Sequence, residues 1–192
     1  MEYSIKIGGE AGQGIQTIGE TLTKVFSRIG YHVFSHQDYE SRVRGGHNFF
    51  QIRISDRPIS ASRQKIDLLI AFDMASISLH ERELTDGGII VYDPASQNGL
   101  FEKPHFLGVP FLELAVQSGG SKLMANTAAI GAAIGILGLP IKPLFDILTI
   151  TLKKKGEAIL EINRNVASAG YEHARSHCAR CAFSLATSWP SC

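Results

Sequence analysis

Two short stretches carry residue types suited to holding an anion. The first, Gly8-Gly9-Glu10-Ala11-Gly12-Gln13-Gly14, lies between the apolar run Tyr3-Ser4-Ile5-Lys6-Ile7 and the start of a helical pattern. A loop this bare, pinned between a strand end and a helix N-terminus, turns unpaired backbone N–H groups and the positive end of the helix dipole outward together. The second, Ser41-Arg42-Val43-Arg44-Gly45-Gly46-His47, places two guanidiniums beside glycines that let a carboxylate or phosphate reach the backbone. Each stretch also has a plainer reading. The first could be a tight turn with close strand–helix packing, and the second a solvated turn leading into a strand.

The usual companions of such loops are absent. The pattern Gly9-x-x-Gly12-x-Gly14 has neither the G-x-G-x-x-G spacing of a dinucleotide fold nor the Gly-Lys-Ser/Thr ending of a P-loop, since Ile15-Gln16-Thr17 follows. Glu10 would repel a phosphate if it pointed inward, so a backbone-led contact at Gly12, Gln13 and Gly14 is expected. Asp38 and Glu40 fall near the place of a ribose-reading acid, but in a polar stretch where a solvated acid serves equally well. His47 is the only histidine in a Gly/Arg setting; His36, His80 and His105 read as ordinary surface or core residues. Cys178-Ala179-Arg180-Cys181 with His173 and His177 resembles half of a zinc site. Cys192 is the only other cysteine, so no metal is predicted. No Ser-His-Asp set, H-E-x-x-H motif, catalytic carboxylate pair or four-cysteine cluster motif is present. The chain reads as a binding domain that needs other subunits to do chemistry.

The elements that position these loops follow a β-α-β rhythm. Ile15, Ile18, Leu22, Val25, Phe26 and Ile29 recur at helical spacing before Gly30, and His32-Val33-Phe34-Ser35 reads as a second strand lying parallel to the first as its neighbour. Residues 36 to 47 read as a loop. Asn48 to Ser55 alternates as a half-buried strand, and Ile66 to Phe72 is an apolar run suited to the sheet centre. A helix from Met74 to about Leu84 ends at Asp86-Gly87-Gly88, followed by the strand Ile89 to Asp93. A short strand from Phe106 to Val109 leads to helices over 111–117, 123–137, 142–154 and 157–175. The expected fold is α/β, a doubly wound and mainly parallel sheet flanked by helices, with a helical C-terminal portion. One domain over 1–175 is followed by an irregular tail, 176–192. Gly131-x-x-x-Gly135 gives one helix a flat face, suited to close packing on the sheet or to a contact between two copies.

With 192 residues, 44% hydrophobic, and a formal net charge of +1, the chain can bury a full core and has no global attraction for nucleic acid or an anionic membrane. The N-terminus lacks a signal-peptide pattern, and the apolar segment Met124 to Leu139 is too short to span a bilayer. A cytoplasmic setting is expected. The cysteines all fall in the last fifteen residues, so no disulfide framework holds the body.

Taken together, the Gly8–Ile15 loop with its helix, Gly30-Tyr31, Ser41 to His47 leading into Ile52-Arg53-Ile54-Ser55, Ile66 to Ala71, Gly87 to Asp93, Asn126-Thr127-Ala128 and the segment Asn163 to Tyr171 resemble the gamma domain of 2-oxoacid:ferredoxin oxidoreductases. The likeness covers about residues 3–173. It implies a subunit, inactive alone, of an enzyme that decarboxylates a 2-oxoacid oxidatively, passes the acyl group to coenzyme A and sends electrons to ferredoxin. The resemblance further implies a role in coenzyme A binding and assembly, with thiamine diphosphate and iron–sulfur clusters on the alpha, beta and ferredoxin-like partner subunits. Gly12, Gln13, Gly14, Arg42, Arg44, Gly45 and Gly46 are the residues expected to meet the coenzyme's phosphates. Glu10-Ala11 departs from the Gly-x-Gly-Gly-Gln-Gly form of many members and is closer to variants in which gamma and alpha domains share one chain. An independent nucleotide-binding or sensor domain is the alternative.

Overall fold

A computed structural model describes residues 1–39, 46–97, 99 and 101–178. Six strands form one sheet in the order β2-β3-β1-β4-β5-β6. They are β1 (Glu2–Glu10), β2 (His32–Tyr39), β3 (His47–Ser55), β4 (Ile66–Ala71), β5 (Leu84–Tyr92) and β6 (Phe106–Gly108). The helices are α1 (Ile15–Ile29), α2 (Met74–His80), α3 (Phe111–Gln117), α4 (Ala125–Ile136), α5 (Lys142–Leu152) and α6 (Glu157–His177).

The sheet is parallel from β1 through β4 and β5 to β6. The first two strands are not neighbours, contrary to the expectation from the β-α-β order. β3 lies between them and runs antiparallel to both, pairing Ile5 with Ile52 and Ser35 with Ile52 on its two edges. The physical reason is that β3 puts Phe50, Ile52 and Ile54 on one side, where they complete the same buried face as Ile5 and Ile7. The antiparallel partner also extends β2: residues 36 to 39, expected in a loop, are held in strand by pairing with 48 to 51.

α1 and α4 pack on one face of the sheet, and α3, α5 and α6 pack against them. α1 turns Ile15, Ile18, Leu22, Val25 and Phe26 inward. Its end is set by Gly30 at φ 99°, whose N–H reaches back to the last-turn carbonyls. β4 is buried along all six residues. Leu68 and Ile70 join the large core under α1, α4 and α6, while Leu69 and Ala71 face Ile77 of α2 on the other side. α2 stops at His80, followed by a 3₁₀ turn, and Asp86-Gly87-Gly88 is part of β5 rather than a turn.

The flat face of α4 is filled within the chain. A Cβ on Gly131 would overlap the carbonyl oxygen of Ala167, and one on Gly170 would overlap that of Ala128. The α4 and α6 backbones therefore touch directly, and Thr127 Oγ1 donates to Asn163 Oδ1 at 3.1 Å beside the contact. The expected sheet packing or contact between copies is thus replaced, at these glycines, by a helix of the same chain. α6 runs to His177, two residues past the expected end.

Candidate functional site

The glycine loop is clasped from within. Gln13 N–H donates to the Glu10 carbonyl at 3.2 Å, and Glu10 N–H donates to Gln13 Oε1 at 2.8 Å. The Gln13 carbonyl accepts from Asn126 Nδ2 at 3.1 Å. Gln13 thus has partners on its N–H, its amide oxygen and its carbonyl, and acts as the clasp of the loop. Gly14 takes φ 78° at the start of α1, and a Cβ there would overlap Asn126 Nδ2. Two constraints require glycine at this position, the left-handed backbone and the close approach.

The first helical bond is Ile18 N–H to the Gly14 carbonyl, at 3.1 Å. The N–H groups of Ile15, Gln16 and Thr17 consequently have no acceptor within their own helix. No acidic residue occupies this first turn and no side chain caps it. A cavity of about 350 Å³ opens here, lined by Gly12, Gly14, Gln16 and Thr17 on one side and by Gln37, Asn48 and Phe50 of the β2–β3 hairpin on the other. Its polar groups are the Gln16, Gln37 and Asn48 amides, the Thr17 hydroxyl, the Glu10 carboxylate and a helix N-terminus, beside the apolar Ile15, Phe49 and Phe50; the amides and the helix N-terminus suit a phosphate or another polar group. Glu10 lies exposed at the rim.

Of the residues expected from sequence, Gly12 and Gly14 line this cavity and Gln13 shapes it. Gly46 is buried just before β3. Arg42, Arg44 and Gly45 lie outside the described residues. Their segment leaves β2 after Tyr39 and rejoins at Gly46, and Tyr39 pairs with Asn48, a cavity residue. Asp38 alternates to the opposite face from Gln37, so it does not read a ligand in the cavity; Glu40 lies outside the described residues. Gln16, Thr17, Gln37, Asn48 and Phe50 were not singled out by motif. The signal for the last three is strand alternation, once β2 and β3 are known to pair.

The opposite face of the sheet holds a polar cluster that motif reading also missed. Lys6 is 4% exposed. Its Nζ donates to Glu83 Oε2, and His80 Nδ1 lies 3.0 Å from Glu83 Oε1. His80 Nε2 and His47 Nε2 are 2.8 Å apart. Burial, together with the Lys6 and His47 charges, pushes His80 below the ordinary histidine range, although Glu83 pulls the other way. Burial works to raise Glu83, but hydrogen bonds from Lys6 and His80 hold its carboxyl below the ordinary range. The spacing His80-x-x-Glu83 was visible in the sequence, but its buried cation, Lys6, comes from a strand 77 residues away.

His173 and His177 stack at 4.1 Å on α6. Cys181 lies outside the described residues, and among the described residues no group of three or more His, Cys, Asp or Glu could hold a metal ion. Among those residues, no helix is long and apolar enough to cross a membrane.

Residues 4–173 match the family described as Pyruvate ferredoxin/flavodoxin oxidoreductase. The chain belongs to this family. It is 33% identical over 180 residues to ketoisovalerate oxidoreductase subunit VorA of Methanothermobacter marburgensis, covering 92% of this chain and 37% of that one. This family member therefore spans little more than a third of that relative's length. In three dimensions it resembles the keto/oxoacid ferredoxin oxidoreductase gamma subunit of Geobacter sulfurreducens, with TM-score 0.74, 24% identity, and coverage of 91% of this chain and 99% of that one. It also resembles the 2-oxoglutarate:ferredoxin oxidoreductase of Magnetococcus marinus, solved with 2-oxoglutarate, coenzyme A and succinyl-CoA bound. There the TM-score is 0.80 with 23% identity, over 91% of this chain and 31% of that one. Both likenesses establish a shared fold.

Proposed function

We propose that this chain serves as a gamma-type subunit of a 2-oxoacid:ferredoxin oxidoreductase complex, where it binds part of coenzyme A and helps assemble the enzyme. The observation that carries this reading is the cavity at the N-terminus of α1, faced by the hairpin whose connection bears Arg42 and Arg44. The backbone N–H groups of the first turn hold phosphate oxygens, with Gly12 and Gly14 permitting close approach and the two arginines supplying charge. At about 350 Å³ the cavity takes one portion of the coenzyme, and a partner subunit contacts the rest. Bound coenzyme A supplies the thiol that accepts the acyl group.

The 2-oxoacid, thiamine diphosphate and iron–sulfur clusters sit on alpha, beta and ferredoxin-like partners, with ferredoxin as electron acceptor and the complex in the cytoplasm. The test is reconstitution with those partners. Arg42→Ala with Arg44→Ala raises the apparent KM for coenzyme A and leaves the KM for the 2-oxoacid unchanged. Unaltered coenzyme A kinetics, or failure to recover any thiamine-dependent partner from native extract, overturns the reading. Calorimetry with NAD, ATP and coenzyme A separates it from an independent nucleotide sensor.

A further inference from the structure

β2 ends the sheet on the side away from β6. It pairs with β3 along its whole length without a break in register, and among the described residues no strand flanks its outer side. The two edges are built differently. β6 is three residues long and lies between Pro104 and Pro110, which discourages a further strand from adding there. β2 is 8 residues long and holds no proline, lysine, arginine or glycine. Its His32, Ser35 and Gln37 are exposed. A long edge without such breaks is a template for another strand, since its outer N–H and C=O groups point away from the sheet.

The residues of β2 say which strand fits. In an antiparallel pair, opposite residues turn their N–H and C=O groups either both toward each other or both away. A strand that pairs with its own copy must therefore set one residue opposite itself, on the two-fold axis. With Ser35 on the axis, the overlap runs from His32 to Asp38 and the facing side chains are compatible. His32 meets Asp38, an imidazole opposite a carboxylate. Phe34 meets His36, and these two rings already stand 6.5 Å apart within one chain. An axis at His36 sets Phe34 against Asp38 and one imidazole against another, while an axis at Phe34 shortens the overlap to residues 32–36. Phe34, His36 and Asp38 share the sheet face of Phe49, because they pair with Arg53, Gln51 and Phe49 of β3. His36 and Phe49 are edge-on with centroids 5.6 Å apart. Each copy thus brings a half-buried row of Phe34, His36 and Phe49 to the join.

We propose that the β2 edge joins two copies of this chain, residues His32 to Asp38 pairing antiparallel with the same residues of a second copy about a two-fold axis at Ser35. The two sheets then run on as one. On the other face of the strand, Val33 of the second copy lies opposite Gln37. Gln37 lines the cavity at the start of α1, so the join sets each copy beside a wall residue of the other's cavity.

The test uses the full chain. Sedimentation velocity over a range of concentrations is expected to show a monomer–dimer equilibrium. Ser35→Lys sets two like charges opposite each other on the axis, as does Ser35→Glu, and each alone is expected to dimerise about fivefold more weakly. An equimolar mixture of the two restores the dimer, a result that misfolding of either variant could not give. Opposite residues in an antiparallel pair have Cα atoms about 4.5 to 5.5 Å apart, within disulfide reach. Ser35→Cys is therefore expected to link two copies under mild oxidation, seen by mass spectrometry as a peptide joined to itself through residue 35. Links through the chain's own cysteines involve other peptides and do not enter that reading. A chain that stays monomeric at every concentration, or a dimer in which Ser35→Cys gives no such peptide, overturns the proposal. So does a mixture of the two charged variants that associates no more tightly than either alone. A link through His36→Cys in place of Ser35→Cys overturns the register.

Discussion

Asn126 Nδ2 donates to the Gln13 carbonyl at 3.1 Å, so a residue in the first turn of α4 holds the loop that precedes α1, 113 positions away. Asn126→Ala removes this donor and costs about 1 kcal/mol in urea unfolding. Gly14→Ala costs more, about 2 kcal/mol, because the new Cβ meets both a left-handed backbone and the Asn126 amide. Combining the two variants gives a loss smaller than the sum, since the first relieves part of the clash of the second.

The histidines make stability depend on pH. Burial is the leading cause that lowers His80, His36 and His173 in the folded chain from 6.5. Each is neutral when folded at a pH where the unfolded chain already binds a proton, so the unfolded state takes up more protons and stability falls as pH drops below 6.5. The loss for each group is complete once pH has passed its folded value. Glu83 adds a second decline, which starts near its ordinary 4.5 and runs downward. Urea midpoints at a series of pH values should decrease in these two stages. A midpoint that rises on acidification from neutral pH contradicts the assignment.

The α4–α6 contact has no room for a side chain at Gly131 or Gly170. Gly131→Ala costs about 1 to 3 kcal/mol by forcing the helices apart, and Gly131→Leu leaves little folded protein at 37 °C. Circular dichroism melting reads both. Replacing Asn165, exposed on α6, by Ala serves as the control for a substitution away from the contact.

Lys6 is the buried half of an ion pair whose partner is partly solvated. Lys6→Met strands Glu83 beside His80 and costs about 2 kcal/mol, below the usual loss for a fully buried pair because water reaches the carboxylate. Removing both charges in Lys6→Met with Glu83→Leu recovers part of that loss. If the double variant is as unstable as the sum of the singles, the two groups are not coupled.

Local periodicity and caps were legible where one element decides its own burial. α1 followed from six apolar residues at helical spacing closed by Gly30, and β4 from an apolar run broken only by Asp67. The neighbours of a strand are another matter, because a β-α-β order sets direction and leaves adjacency to long-range pairing. β3 took the place beside β1 since its alternation matched Ile5 and Ile7, information spread over some fifty residues. At the site, the backbone-led glycine loop could be read from composition. Gln37 and Asn48 could not, since their shared side depends on the register of the hairpin. The cluster of Lys6, His47, His80 and Glu83 was hidden for the same reason, with its members on β1, on β3, at the end of α2 and in the 3₁₀ turn after it.

The insertion of β3 between β1 and β2 makes the hairpin a replaceable cassette. β3 is fixed by register against β1, and β2 by register against β3, so the sheet holds both strands from outside the connection between them. Closing a longer loop costs little extra, about 0.6 kcal/mol for each doubling. A longer or shorter connection between β2 and β3 therefore leaves the register of the sheet and its core unchanged.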